Sequence, residues 1–227
     1  MALSNLMSNL PEALLDPIHH SPLLPEITEA LQRQLLEEQQ RRANFYAEMT
    51  PAQKVEFIDG QVVMHSPARN AHLDLTKFIL QLLDLHVRQN NLAEVKVEKC
   101  LCVFPRNDYE PDIVYFCPEK ASKFDPDTMK FPIPDLAVEV LSESTESRDR
   151  GVKFEDFAAH GVSEYWIVDA ERNVLEQYLL KDDNFELETK ASSGEVRSEV
   201  IPGFVAPIRA FFDPNENLTA LQKIFSQ

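Results

Sequence analysis

Hydrophobic and polar positions change period several times along this chain, and those changes divide it into elements. Between Ile27 and Met49, Leu31, Leu35, Leu36 and Phe45 recur among Gln, Glu and Arg at helical spacing, which predicts a long helix closed by Thr50-Pro51. From Val55 the period drops to two. Val55-Glu56-Phe57-Ile58 and Gln61-Val62-Val63-Met64 flank Asp59-Gly60, the kind of dipeptide that two-residue hairpin turns favour. A second helix follows, with Leu73, Leu75, Phe78, Ile79, Leu82, Leu83 and Leu85 on its apolar side and His72 and His86 near its two ends. Strands are expected from Ala93 to Phe104 and from Asp112 to Phe116, then a Pro- and Lys-bearing loop ending at Pro132. A strand around Glu139 leads through the polar run from Ser142 to Asp149 into a short helix holding Lys153, Phe154, Phe157 and Ala158, which Gly161 stops. Glu164 to Asp169 is the next strand; Val174 to Leu180, Phe185 to Thr189 and Val196 to Ile201 read as an antiparallel ribbon, and Leu218 to Phe225 as a last amphipathic helix. Ahead of these, residues 1 to about 24 carry Pro11, Pro17, Pro22 and the nearby Pro25 around His19-His20, and read as an irregular arm.

The pattern implies an α/β (α+β) fold. A mixed central sheet is expected from the hairpin, the Ala93 and Asp112 strands and the Glu139 strand, flanked by the helix after His72 and the Lys153 helix, with an N-terminal helical extension. The expected organisation is an arm and helix over 1–48, a core domain over 49–212 and a C-terminal helix over 213–227. A chain of 227 residues can bury a sizeable core, and 44% hydrophobic with 26% charged residues is ordinary for a soluble globular protein. No apolar run is long enough for a membrane span, and Met1-Ala2-Leu3-Ser4-Asn5 lacks the basic flank and apolar stretch of a signal peptide, so no membrane partner and a cytoplasmic location are expected. Three cysteines, with Cys100 and Cys102 two apart in an expected strand, read as reduced packing residues, and no spacing points to zinc.

Charge narrows the functions open to the chain. A net charge of −16 argues against tight, nonspecific gripping of phosphate backbones, which normally relies on Lys and Arg. It leaves room for a local basic groove, and it suits a site that must collect divalent cations.

The chemistry concentrates in two acidic positions. Asp112 heads the apolar run Ile113-Val114-Tyr115-Phe116 after Glu110-Pro111, and Glu139 sits inside Leu136-Ala137-Val138-Glu139-Val140-Leu141. Carboxylates in buried strands need a cation, a hydrogen-bond network or a metal. One hard cation, Mg2+ (or Mn2+), accounts for both at once, with Asp112, Glu139 and the backbone carbonyl of Val140 as the protein share of the ligands. Such a site can hydrolyse a phosphodiester if water is made nucleophilic and the developing charge on the phosphoryl oxygens is met; Lys153 is the ammonium available for that charge. Glu56 is a third acid to orient water or hold metal, and His72 a donor to phosphate or a proton carrier. Plainer roles are open to the same residues: a turn-capping carboxylate at Asp112, a Glu139 paired with Lys or Arg, a solvated Lys153, a hairpin-edge Glu56, a helix-start His72, and Asp149 as a cap of the Lys153 helix.

Three segments carry a family resemblance. The run from Phe131-Pro132-Ile133-Pro134-Asp135 through Leu141-Ser142, then Asp149-Arg150-Gly151-Val152-Lys153-Phe154, then Gly161 to Asp169 with Tyr165-Trp166, resembles the Uma-two family, which is similar to restriction endonucleases of the PD-(D/E)XK superfamily. The match extends upstream through Glu56-Phe57-Ile58-Asp59-Gly60, Ser66-Pro67 with His72, and Glu110-Pro111-Asp112, covering roughly residues 45 to 210. The resemblance implies a restriction-endonuclease-like mixed sheet, with Asp112 as first acid and Glu139 as second. It also implies a metal-dependent endonuclease acting on nucleic acid, DNA foremost, and a homodimer, since related nucleases commonly pair to cut two strands. The superfamily's usual lysine, two residues after the Glu, is replaced here by Leu141; Lys153 stands where other members carry a lysine moved to the neighbouring helix. Two rival functions stay open: a catalytically silent nuclease fold serving binding or assembly, and a metal-dependent hydrolase of small phosphorylated molecules. Gathering of Arg69, Lys77, Lys96, Lys99, Arg106, Arg148 and Lys153 on the active face favours the nuclease; scatter favours the rivals.

Overall fold

The computed structural model describes residues 12–50 and 52–226. The expected arm as far as Pro11, and Pro51 of the expected helix boundary, lie outside the described residues. The chain divides into two compact units, Met1–Met49 with Asp59–Gln61, and Thr50–Ile58 with Val62–Gln227.

The first unit holds two helices, α1 (Glu12–His19) and α2 (Leu24–Glu48). The first corrects the irregular arm: Ala13, Leu14 and Leu15 favour helix, and Pro17, near its end, removes one internal N–H bond without preventing these two turns. Pro25 opens α2 in its first turn, where a missing N–H costs nothing. Within this unit Arg41 Nε donates to the carbonyl of Gly60 at 2.8 Å. Leu31, Leu35 and Leu36, the expected apolar stripe of α2, remain half or more exposed.

The second unit is organised by a six-stranded sheet. Its strands are β3 (Glu94–Val97), β6 (Ile113–Phe116), β8 (Leu136–Val140), β9 (Glu164–Asp169), β10 (Val174–Lys181) and β11 (Asn184–Ala191), in the order β11-β10-β9-β8-β6-β3. Only β8 and β9 run parallel, so the sheet is mixed as expected. Between those two strands the chain passes through the short helices α5 (Glu146–Asp149) and α6 (Val152–Ala159), the crossover that a parallel pair requires. The hairpin strands β1 (Val55–Ile58) and β2 (Gln61–Met64) belong to a second sheet with β4 (Leu101–Val103), β5 (Asp108–Tyr109) and β7 (Lys130–Phe131), not to the central one. The hairpin turn takes left-handed backbone at both Asp59 (φ 49°) and Gly60 (φ 77°), as a two-residue turn of this type demands.

The expected strand from Ala93 to Phe104 is two strands in two sheets. Glu98 (φ 50°) and Lys99 (φ 37°) are both left-handed, at roughly 1–2 kcal/mol each for residues with a Cβ, and the turn they make sends β3 and β4 apart. Likewise the Val196 segment leaves the β10–β11 ribbon: β12 (Glu195–Arg197) pairs with β13 (Val205–Pro207).

Alternation along the strands sorts the core onto two faces. Ile113, Tyr115, Leu136, Val138, Trp166 and Val168 pack with Leu75, Ile79, Leu82 and Val87 of α3 (Asn70–Gln89) and with Ala220 and Ile224 of α7 (Pro214–Phe225), which follows the four-residue helix α4 (Pro118–Ala121) and α6 in chain order. Val114, Phe116, Ala137, Tyr165 and Ile167 face the other way, against Phe157 of α6 and Cys102, Phe104 and Tyr109 of the second sheet. All three cysteines are free thiols, as read from the sequence. Among the described residues no helix is long and apolar enough to cross a membrane.

On β10, Glu176 accepts two hydrogen bonds from Arg150 (2.7 and 3.1 Å), one from the Tyr178 hydroxyl (2.7 Å), and pairs with Lys190 at 3.0 Å. Burial pushes its carboxyl up, but these donors outweigh burial and hold it down to about 2. A carboxyl depressed in the folded state stabilises above its ordinary value and loses that contribution as pH falls through the depressed one. Urea midpoints measured at stepped pH should therefore fall for the wild type from about pH 5 toward pH 2, and fall less steeply for Glu176→Gln.

Candidate active site

Register and alternation together bring the two acids side by side. In the antiparallel pair of β6 and β8, Ile113 is opposite Val138, so the next pair outward is Asp112 and Glu139. Asp112 shares the face of Val114, and Glu139 that of Ala137, the side covered by α6. The backbone N–H of Val140 donates to Asp112 Oδ2 at 2.9 Å, fixing one strand edge to the other.

Around them lies a dense ionic cage. Lys153, on the first turn of α6 and 2% exposed, sets its Nζ 2.8 Å from Glu139 Oε1, 2.8 Å from Glu56 Oε1 and 3.4 Å from Asp149 Oδ1, over the Tyr109 ring. Lys54 Nζ donates to Asp112 Oδ1 at 2.8 Å and lies 3.7 Å from Glu98. His72 Nε2 lies 3.3 Å from the same Asp112 oxygen, and His65 Nε2 2.9 Å from Glu56 Oε2. Glu56 Oε1 also accepts from the backbone N–H of Glu110, whose own carboxylate accepts from that of Val55 at 2.8 Å. The site-facing carboxylates, Asp112 and Glu139, line a cavity of about 1110 Å³ together with Lys54, His65, His72, Glu98, Val140 and Lys153.

The cage sets each proton affinity by a different balance. Burial pushes Asp112 up, yet hydrogen bonding by His72 and the charge of Lys54 outweigh it and hold the carboxyl well below the usual range. Glu56 is likewise held down to about 2, burial being overcome by Lys153 and His65. Glu139 and Asp149 go the other way, because burial, with the neighbouring carboxylates of Asp112 and Glu56, outweighs Lys153. Burial also lifts Glu110 to about 7. Both lysines are raised against their burial, Lys54 by Asp112 foremost and Lys153 by Glu139. His72 is raised too, burial being outweighed by its bond to Asp112.

Asp112, Glu139, Lys153, Glu56 and His72 are thus all brought together, and all but the fully buried Glu56 lie with the carbonyl-bearing Val140 on the cavity wall. Of the plainer alternatives, a Glu139 paired with a lysine is present, but Lys153 is buried rather than solvated, and Asp149 does not cap α6, whose N-cap is Gly151 with no side-chain bond. Asp149 is instead the third carboxylate on Lys153, and among the described residues both of its oxygens lack a hydrogen-bond partner. Four buried carboxylates against two ammonium groups form a surplus of hard oxygen donors, a set that fits a hard divalent cation. His72, Glu98 and Asp112 also offer ligand atoms within 4.8 Å of one another.

Sequence reading passes over Lys54, His65 and Glu98. The first two had a signal. The Asp59-Gly60 turn fixes the hairpin register, and extending it one pair beyond the strand ends sets His65 opposite Lys54, whose carbonyl accepts the His65 N–H at 3.1 Å. Glu98 had none, since it reaches the site only through the left-handed turn, where its N–H bonds the Asp112 carbonyl at 3.1 Å. Of the cations named as a possible basic face, Arg69 and Lys153 line the cavity. Lys77 and Lys96 pair instead with Asp74 and Glu94.

The family model described as "Uma2: Putative restriction endonuclease" matches residues 36–209. The chain belongs to the Uma2 family. No curated protein matches this Uma2 chain significantly. Among solved structures, one from Anabaena variabilis, described as "a putative nuclease belonging to DUF820", is similar in fold. Its TM-score is 0.64 at 16% identity, over 78% of this chain and 96% of that one. The restriction-endonuclease-like α/β fold expected for Uma2 proteins is therefore present, and the family carries the chain to a nuclease-like function.

Removing the cation from the Uma2 cage should be costly, because it strands buried carboxylates without a counter-charge. Lys153→Met is expected to lower the unfolding free energy by about 3–5 kcal/mol in urea denaturation. A loss below about 1 kcal/mol would mean that the carboxylates are not held as described.

Proposed function

We propose that this Uma2-family protein is a magnesium- or manganese-dependent endonuclease that hydrolyses phosphodiester bonds of nucleic acid, DNA foremost. The reading rests on one observation above all: Asp112 and Glu139 are cross-strand neighbours on one sheet face, lining one cavity with Lys153. Asp112, Glu139 and the Val140 carbonyl would hold the cation. When bound, it supplies Lewis acidity toward a phosphoryl oxygen and makes water more acidic.

The chain's own groups divide the remaining work. Lys153 neutralises Glu139 and Glu56 and keeps both carboxylates oriented. Glu56, fully buried with one oxygen on Lys153 and the Glu110 N–H and the other on His65, holds Lys153 and His65 in place behind the cavity wall. His72, raised by Asp112, carries a proton or donates to the phosphate. Pairing into a homodimer and a cytoplasmic location accompany this reading.

A second reading, hydrolysis of small phosphorylated molecules, draws on the sparse basic lining of the cavity and the net charge of −16. One assay separates them. Purified protein is offered supercoiled and single-stranded DNA, and bis(p-nitrophenyl) phosphate, with manganese or with chelator. The expected outcome is manganese-dependent DNA cleavage that Asp112→Asn and Glu139→Gln each lower by at least about 100-fold. Turnover of the small ester alone would favour the second reading. Cleavage surviving both substitutions would point to a contaminating nuclease, and inertness without metal binding to a silent fold.

A further inference from the structure

The ammonium that meets a substrate phosphate should have donors to spare and a way to reach it. Lys153 has neither. Its side chain is 2% exposed and its three N–H donors face three carboxylates, Glu56, Glu139 and Asp149. Lys54 has both: its side chain is 17% exposed, lines the cavity and gives one hydrogen bond, to Asp112 at 2.8 Å, with Glu98 outside hydrogen-bond range at 3.7 Å.

We propose that Lys54 is the residue that contacts the scissile phosphate, taking the task assigned from sequence to Lys153, which acts as a positioning residue. The inference rests on the nuclease reading and names the group that completes it. Geometry supports it at four points. Lys54 and His72 converge on the same Asp112 oxygen from within the cavity, His72 being 15% exposed. A phosphoryl oxygen at that place would meet an ammonium and an imidazole beside the metal-binding acid. The backbone that brings Glu98 to Lys54 is strained, with two successive non-glycine residues left-handed, and such strain collects at functional sites. By contrast Arg69, a further cation on the cavity wall, is 78% exposed and 3.6 Å from Glu143, a rim position. Lys54, immediately before β1, is also held in the hairpin register, because its carbonyl accepts the His65 N–H at 3.1 Å.

The test uses the full chain with Lys54→Met and Lys54→Arg. Single-turnover cleavage of a DNA oligonucleotide is measured in manganese, manganese affinity by calorimetry, and binding of the same labelled oligonucleotide by anisotropy in calcium. A phosphate-contacting Lys54 predicts a rate lowered about 100-fold in Lys54→Met and partly restored in Lys54→Arg, with manganese affinity unchanged or tighter, because an ammonium no longer competes for Asp112. Wild-type cleavage by Lys54→Met overturns the inference and leaves the nuclease reading intact. A loss of rate that follows weakened manganese binding also overturns it, since Lys54 would then act through the metal site. If the wild type does not cleave, the nuclease reading fails, and oligonucleotide binding decides: weaker binding by Lys54→Met supports a phosphate contact, equal or absent binding overturns it.

Discussion

Everything in this site follows from withdrawing four carboxylates from water around two ammonium groups. Glu56, Asp112, Glu139 and Asp149 are each at most 4% exposed, and each charge must be met inside the protein. Lys153 meets three of them from α6, and Lys54 meets the fourth from the start of the hairpin. The cage therefore ties together, by charge, three elements that also share an apolar cluster: the central sheet, the crossover helix and the second sheet. A buried ionic cluster of this kind is weak evidence for stability in itself. It is better understood as a cost that the two-faced core carries, and a site bearing that cost is where chemistry is to be sought.

The division of labour between faces explains why the fold tolerates the cage. One face of the central sheet is filled mostly by apolar side chains of α3 and α7, and its buried polar groups such as Glu164 and Asn217 are held by hydrogen bonds to neutral groups, so cohesion there does not depend on ion pairing. The opposite face changes from apolar to ionic along its length, from Phe116 and Ala137 inward to Asp112 and Glu139 at the strand ends. Ends of strands are where the ladder runs out and backbone groups become free to take side-chain partners, as the Val140 N–H takes Asp112.

Much of this could be read from residues alone, and the limits have physical causes. The hairpin, the strand from Glu164 to Asp169 and the helix carrying Lys153 each have strong local signals: Asp59-Gly60, a β-branched and aromatic run, and a stop at Gly161 with φ 83°. The acids were legible because a charge inside an apolar strand is conspicuous. What stayed hidden depends on long-range pairing or unusual backbone. Glu98 and Lys99 carry no glycine to announce a left-handed turn, so β3 and β4 read as one strand. Asp149 looked like a helix cap by position, yet helix α5 turns its carboxylate toward Lys153. The sheet that accepts the hairpin is decided by the pairing of Phe57 with Asp108, a contact with no local trace.

Net acidity and a nuclease-like fold are reconciled if charge is used locally rather than across the surface. A chain at −16 gains little from nonspecific attraction to phosphate backbones, so under the proposed nuclease function recognition would rest on the cavity itself. The most direct measurement is anomalous diffraction from crystals soaked in manganese. The account predicts a peak between Asp112 and Glu139, with Lys54 displaced from the Asp112 oxygen and Lys153 still on Glu56. No manganese at these two acids, with both lysines seated as they are here, would contradict it.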